Sequence, residues 1–139
     1  MSIILYEKPY AKIEYVSEHN LLKISWNGFV NLANFKDCLD NLLIFASTHK
    51  NVTLFLSDQR KRKVLTKEES EWFANDFAPR FIKSRTKTTK LALIKSEDVF
   101  GAKSTENVMN KIVSSHTAGF ATYAYFESEI EAMNWLLAV

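Results

Sequence analysis

The strongest constraint on the fold is a short apolar run at residues 52–56, near the middle of the chain. The run is uninterrupted and partly β-branched, which is typical of a strand that is covered on both faces. A helix with a capping box follows it, with Thr66 at the N-cap and Glu69 three residues later. Because a covered strand followed by a helix is the unit of a parallel sheet flanked by helices, we expect an α/β fold.

The first third of the chain contributes a hairpin and a helix to this pattern. Residues 11–16 and 22–26 alternate between apolar and polar side chains, which predicts two antiparallel strands. After Asn31 the period changes, and an amphipathic stripe runs from Phe35 to Ala46. Asn31 or Asn34 can cap the start of this first helix.

The last third repeats the alternation of strand and helix. Residues 91–94 and 119–126 are predicted strands, and helices are expected to begin at the caps Ser104 and Ser128. The predicted core face of the terminal helix consists of Ile130, Met133, Leu136 and Leu137. We therefore predict one α/β domain over residues 1–139, with a mixed sheet of about five strands and about four helices. The sheet would have an N-terminal hairpin and a parallel centre.

The composition indicates one globular domain without a membrane span. The chain has 139 residues, of which 47% are apolar and 24% are charged, and this size suits a single core. No apolar run approaches the roughly 20 residues of a transmembrane helix, and the first residues do not have the pattern of a signal peptide. The single cysteine, Cys38, excludes an internal disulfide framework and fits a reducing compartment. We therefore expect a cytoplasmic protein.

The sequence contains no recognisable catalytic motif. His19 falls in a predicted turn, while His49 and His116 fall at predicted helix ends, so none is placed to form a nucleophilic triad. Cys38 lies near the apolar face of the first helix, as a small core residue does. The three glycines are too far apart for a phosphate-binding loop, and no cysteine–histidine spacing resembles a metal site. We predict a non-enzymatic protein that uses no cofactor or metal.

A binding surface is predicted where the central strand ends, because ligands of parallel sheets gather at the carboxyl ends of strands. Ser57 and Asp58 occupy that position, and the basic segment 59–63, interpreted as a loop, follows them. Residues 60–90 hold ten Lys and Arg residues against four acids, which indicates either an anionic partner or a solvated face. Asp58 would orient a ligand or form a local ion pair. The pI of about 8.6 does not favour a nucleic-acid partner.

The second helix carries a stripe of aromatic residues. Phe73, Phe77 and Phe81 recur every fourth residue and share one face, which is typical of core packing against a sheet. Trp72 and Ile82 widen the stripe, and Pro79 is expected to kink or divide the helix. The aromatic face would therefore either fill the core, line an apolar pocket or remain exposed for a partner.

Three segments resemble the SpoIIAA-like group of STAS domains: residues 22–30 (LKISWNGFV), residues 56–58 (LSD) and residues 97–101 (EDVFG). The resemblance covers residues 10–137. It implies a small bacterial α/β module, of a group related to the CRAL-TRIO lipid-transfer fold, that acts by binding. Some members are switched by phosphorylation of a serine in an Asp-Ser-Ser-Gly-like motif. This chain has VLTKEE at that position, with Thr66 as the nearest hydroxyl and without the glycine or the serine pair.

Two functions are compatible with these patterns. The first is a regulatory module that binds a protein partner through residues 57–64, the start of the second helix and residues 96–103, with a homodimer formed through exposed aromatics or sheet edges. The second is a carrier or sensor of a small apolar or amphipathic ligand, such as a lipid or fatty acid, held between the second helix and the sheet. Trp72, Phe77 and Phe81 would form its walls, and the basic loop would bind an acidic headgroup. The predicted surface residues are Ser57, Asp58, Arg60, Arg62, Lys63, Thr66, Trp72, Phe77 and Phe81.

Overall fold

The fold is a mixed β-sheet with helices packed on both faces. The computed structural model describes residues 2–63, 65–97 and 121–138. The strands are β1 (Ser2–Lys8), β2 (Ala11–Val16), β3 (Leu21–Gly28), β4 (Leu54–Arg62), β5 (Thr89–Ile94) and β6 (Ala121–Phe126). The helices are α1 (Leu32–Thr48), α2 (Lys67–Trp72), a π-helical segment (Phe73–Phe77), α3 (Ala78–Ser84) and α4 (Glu129–Leu137).

The six described strands lie in the sheet in sequence order, from β1 to β6. Strands β1 to β3 pair antiparallel, whereas β3 to β6 pair in parallel. The predicted α/β class and the hairpin of β2 and β3 are confirmed. The predicted number of strands is too low, because β1 has no recognisable pattern: it is an edge strand whose side chains are mostly exposed, so they need not alternate.

The described helices agree only in part with the four that the sequence predicts. The predicted helix that begins at Ser104 lies outside the described residues. In α4, Ser128 caps the helix by accepting a hydrogen bond from the backbone N–H of Glu131, as predicted. Its predicted core face is partly wrong, because Ile130 is 75% exposed while Ala132 and Leu136 are buried. Nowhere in the described residues is a helix both long and apolar enough for a membrane span.

Each face of the sheet has its own apolar core. The first core joins α1 and the aromatic residues after Thr66 to one face, through side chains such as Ile24 and Phe55. The second core joins α4 to the other face, through Leu56 and Ala132. Strand β4 is apolar at successive positions because these side chains alternate between the two cores. Burial of each large side chain stabilises the fold by about 1.5–3 kcal/mol.

Strand β4 is longer than the sequence predicts. Residues 59–62, interpreted above as part of a basic loop, continue the strand and pair with β3 up to Gly28 and Arg62. The backbone N–H of Glu97 donates to the Arg60 carbonyl at 2.9 Å, and Ser96 Oγ donates to the Arg62 carbonyl at 2.6 Å. These backbone partners lie far away in sequence, so the local basic composition could not reveal them.

The second predicted helix is a composite helix, in which α2, the π-helical segment and α3 follow one another without interruption. The predicted capping box is confirmed, with Thr66 Oγ1 accepting from the backbone N–H of Glu69 at 3.2 Å. A division of the helix, one of the two outcomes predicted at Pro79, does not occur. The π-helical segment ends directly before α3, which contains this proline in its first turn and continues the helix.

Candidate functional site

A cavity of about 140 Å³ lies between the first face of the sheet, α1 and the composite helix. Its wall is mainly apolar and aromatic. The apolar side chains that line it include Ile24, Trp26, Phe35, Leu39, Leu42, Phe55, Leu65, Phe73, Phe77 and Phe81. Cavities of about 150 Å³ with such walls can hold one benzene molecule. The space is therefore sufficient for a small ligand.

The polar groups in the wall come mainly from β4. Ser57, Gln59 and Arg62 all line the cavity. The Gln59 side-chain Nε2 donates to Ser57 Oγ at 2.9 Å. Gln59 Oε1, Arg62 Nε and Arg62 Nη1 are buried and have no hydrogen-bond partner within the described part of the chain. These unpartnered atoms belong to residues of the cavity wall but are themselves buried, so the surface of the cavity is almost entirely apolar.

Arg62 is a buried cation, with only 2% of its surface exposed. Its Nη2 donates to Glu69 Oε2 at 3.1 Å, and Glu69 is buried as well. The guanidinium carbon lies 4.8 Å from the ring centroids of both Trp26 and Phe35. Burial lowers the pKa of the Arg62 guanidinium, while the charge and hydrogen bond of Glu69 raise it. Arginine remains protonated in proteins, so Arg62 is a cation whose charge is compensated by the Glu69 carboxylate.

The Glu69 carboxylate holds Arg62 and caps the composite helix at the same time. Its Oε1 accepts hydrogen bonds from Thr66 Oγ1 at 2.8 Å and from the Thr66 backbone N–H at 3.3 Å. Its Oε2 is the atom that contacts Arg62. The start of the composite helix and the end of β4 are therefore joined through one buried side chain.

A register shift directs Arg62 toward the cavity. Ser25 of β3 pairs with Asp58 of β4, but Asn27 pairs with Lys61, so β4 has one more residue than β3 over this stretch. Such a β-bulge reverses the alternation of side chains along the strand. Ser57 and Gln59 precede the extra residue and Arg62 follows it. In a regular strand Arg62 would lie on the face opposite Ser57 and Gln59. Because of the bulge, all three side chains line the same cavity.

Asp58 and Arg60 do not line the cavity. They form a local ion pair, which is one of the roles predicted for Asp58. Arg60 Nε donates to Asp58 Oδ1 at 3.0 Å and Nη2 to Oδ2 at 2.7 Å. Burial raises the pKa of Asp58, but the hydrogen bonds and charge of Arg60 outweigh it, and the pKa lies below its ordinary value. Glu129 of α4 accepts from Lys23 at 2.8 Å and lies 3.6 Å from Arg60.

The structure separates the predicted surface residues into several environments. Four line the cavity: Ser57, Arg62, Phe77 and Phe81. Of the others, Lys63 is exposed, Thr66 is engaged in the capping box, and Trp72 packs between Phe35 and Phe77 without lining the cavity. Of the predicted segment 96–103, only residues 96 and 97 are described.

Sequence reasoning recognised Phe35 and Glu69 only as a core residue and a capping residue. It included Gln59 only as part of the segment 57–64 and gave it no role of its own. Gln59 and Arg62 are three residues apart, which places side chains on opposite faces of a regular strand. Only the bulge brings them together, and no local pattern predicts it.

Of the other candidate reactive side chains, Cys38 is buried and His49 stacks on an aromatic ring. Cys38 is fully buried, and burial raises the pKa of its thiol to about 12. His49 stacks on Phe45 with ring centroids 4.0 Å apart, and His116 lies outside the described residues. A search of the described residues found no group of three or more side chains arranged to hold a metal ion.

Comparisons of this chain with protein-family models, with curated protein sequences and with solved structures found no match.

Proposed function

We propose that this protein reversibly binds a small, mostly apolar molecule in the cavity and acts as its carrier or sensor. The supporting observation is an apolar cavity of about 140 Å³ whose lining also includes the polar side chains of Ser57, Gln59 and Arg62. Ligand sites in proteins typically combine these two features, since the apolar wall supplies affinity and a few polar groups orient the ligand. The second function predicted from the sequence is therefore the one that the geometry favours.

A cavity of about 140 Å³ is unusual for a region that serves only packing. Protein interiors are close-packed, and voids larger than a water molecule are few. The cavity therefore supports a binding role.

The π-helical segment also supports a binding role. It supplies Phe73 and Phe77 to the cavity wall, and π-helical turns occur frequently at functional sites because they displace side chains from regular helical spacing. Phe77 also contacts the ring of Phe81, with centroids 5.8 Å apart. Together these rings form a continuous aromatic wall facing the sheet.

We propose binding without catalysis. The described residues that line the cavity include no histidine, cysteine or acid that would act as a base or nucleophile. Ser57 Oγ accepts from Gln59 and is not paired with a general base. The chemistry available at the wall is apolar contact with a few hydrogen-bonding groups.

The test is stabilisation by small apolar probes, measured as the melting temperature with toluene and with indole. A ligand that binds only the folded state stabilises it by about 2.7 kcal/mol at a hundredfold excess over its Kd, which amounts to several degrees. Ala78 lines the cavity, so A78L should fill part of it and abolish the shift. N75L places the same side chain at an exposed position of the same helix and should retain the shift. Unchanged melting of the wild type with both probes contradicts the proposal.

A second candidate is the protein-binding module of the STAS type. Its support is the family resemblance together with a patch at the end of β3 and β4, where Lys61 and Lys63 are exposed and Phe29 is 74% exposed. K61S/K63S should abolish affinity capture of a protein partner without lowering the melting temperature. Substitution of Arg62, by contrast, would disturb the buried ion pair and is unsuitable as a surface test. Equal capture by the wild type and K61S/K63S contradicts this assignment.

A homodimer through the edge strand β1 is part of the same proposal. Ile3 and Ile4 are half-exposed on this strand, and an exposed edge can pair with a second copy. Light scattering coupled to size exclusion should then give twice the monomer mass for the wild type and the monomer mass for I4K. A monomer at all concentrations for the wild type contradicts it.

A further inference from the structure

We propose that the ligand of the cavity is a neutral compound with a single aromatic ring. This inference rests on the proposed function and specifies the chemical class of its ligand. It derives from the aromatic side chains that surround the cavity, from the compensation of charge in the described part of its wall and from its volume.

Six aromatic side chains form a continuous band around the cavity. In their order along this aromatic band, and all lining the cavity, they are Trp26, Phe35, Phe73, Phe77, Phe81 and Phe55. The centroids of neighbouring rings in this order are 5.4, 6.1, 5.1, 5.8 and 5.1 Å apart. Aromatic rings attract one another at centroid distances of about 4.5–7 Å, so each ring of the band is in favourable contact with the next.

The aromatic band bounds the cavity on the sheet side and on the helix side. It begins at Trp26 on β3 and ends at Phe55 on the neighbouring strand β4, and the rings between them belong to α1 and the composite helix. The ring planes of Phe77 and Phe81 are inclined by 26°, whereas those of Phe55 and Phe81 are inclined by 80°. Because rings of different orientation line one cavity, a ligand ring can make both stacked and edge-to-face contacts with them.

The rings of the aromatic band are supported by a further ring that does not line the cavity. The ring centroid of Trp72 lies 5.7 Å from that of Phe35 and 6.0 Å from that of Phe77. Rings that already pack against other side chains lose little further freedom when a ligand binds. The aromatic band is therefore preorganised, which favours affinity.

The charges near the cavity favour a neutral ligand. The cation in the described wall, Arg62, lies 3.1 Å from the Glu69 carboxylate, and its guanidinium carbon lies 4.8 Å from the ring centroids of Trp26 and Phe35. No acid is found among the described residues that line the cavity. Burial of an ion without a partner of opposite charge is costly. A carboxylate or an ammonium group on the ligand would therefore lower its affinity.

The volume of the cavity limits the ligand to about one ring. Apolar cavities of about 150 Å³ can bind benzene, and this cavity has about 140 Å³. A phenyl ring with at most a small substituent fits this space, whereas a long alkyl chain would have to extend out of it. The ligand class is therefore narrower than the lipid or fatty acid expected from the sequence.

The test compares benzene, cyclohexane and benzoate by isothermal titration at neutral pH. The affinities of benzene and cyclohexane are corrected for their different transfer free energies from water to hydrocarbon. The wild type should then prefer benzene by about tenfold or more, since each contact between aromatic rings contributes a factor of roughly two to ten. It should bind benzoate at least about a hundredfold more weakly than benzene, because the carboxylate would be buried without a partner.

Two matched variants assign the preference to the aromatic band. F73L removes one ring of the band, and F45L makes the same change at a half-buried helical position that does not line the cavity. F73L should reduce the preference for benzene over cyclohexane by roughly two- to tenfold, whereas F45L should retain it. An equal reduction in both variants overturns the role of the band.

The possible failures can be told apart. If cyclohexane binds as tightly as benzene after the correction, or if benzoate binds as tightly as benzene, this inference is overturned and the proposed function stands. If none of the probes binds, both are overturned. A measurement that needs no variant is the proton resonance of benzene as protein is added. Ring currents of the band should move it away from its free value in a saturable manner, and an unchanged resonance at saturation overturns the placement of the ligand among these rings.

Discussion

The ion pair between Arg62 and Glu69 provides the sharpest test of how this site is built. Both side chains are almost fully buried, at 2% and 1% exposure, and their charged atoms are 3.1 Å apart. Replacing one member of such a pair leaves the other charged and uncompensated in the interior, which costs about 3–5 kcal/mol. We therefore expect E69A to destabilise the protein strongly.

The loss of the helix cap adds to this effect. Glu69 Oε1 accepts two hydrogen bonds from Thr66, and loss of a capping interaction typically costs about 1 kcal/mol. The total, about 4–6 kcal/mol, approaches the whole stability of a small domain, about 5–15 kcal/mol. For a domain of this size it lowers the melting temperature by roughly 10 °C or more.

The assay is urea unfolding followed by circular dichroism for the wild type, E69A, R62M and R62M/E69A. The double variant removes both charges, so it should be more stable than the sum of the two single losses indicates, by at least about 1.5 kcal/mol. E68A replaces the exposed neighbour in the same turn and should change stability by about 0.5 kcal/mol or less. If E69A costs less than about 1 kcal/mol, or if the single effects add within about 0.5 kcal/mol, the reasoning is refuted.

Two further predictions concern the opposite face and the first core. Arg60 lowers the pKa of Asp58 in the folded state. The stabilising contribution of this ion pair is therefore present above the ordinary pKa of about 4 and is lost as pH falls through the pKa of the folded state. The difference in unfolding free energy between wild type and R60M should shrink between pH values of about 5 and 2, and a constant difference contradicts this. Cys38 is fully buried, and burial raises the pKa of its thiol to about 12. A disulfide reagent at pH 8 should therefore modify Cys38 only after denaturant is added. Rapid modification of the native protein contradicts the buried position of this side chain.

Local signals in the sequence predicted the elements well where a single segment contains the whole cause. Of the two predicted N-cap candidates of α1, Asn31 is the cap, because its side chain accepts a hydrogen bond of 2.8 Å from the Asn34 backbone N–H. The capping box at Thr66 and Glu69 is confirmed as well. Strand β2 has the predicted bounds of residues 11–16. Caps and side-chain alternation depend on neighbours within a few residues, so the sequence displays them directly.

Longer-range features could not be predicted in the same way. Edge strand β1 pairs with β2 although most of its side chains are exposed, so its stability comes from backbone hydrogen bonds that leave no apolar pattern. The residues after Asp58 read as a solvated basic loop, because charged side chains are rarely buried. Their inclusion in β4 depends on pairing with β3 and on contacts from Ser96 and Glu97.

The sequence by itself determined the α/β class, the order of most elements, the helix caps and the aromatic face of the composite helix. Tertiary structure decided that this face encloses a cavity and that Arg62 points into it. The reason is that a cavity exists only between packed elements, and that the burial of Arg62 needs both the bulge against β3 and the carboxylate of Glu69. Neither condition can be read from the residues on either side of Arg62, because each depends on a partner brought close only by the fold.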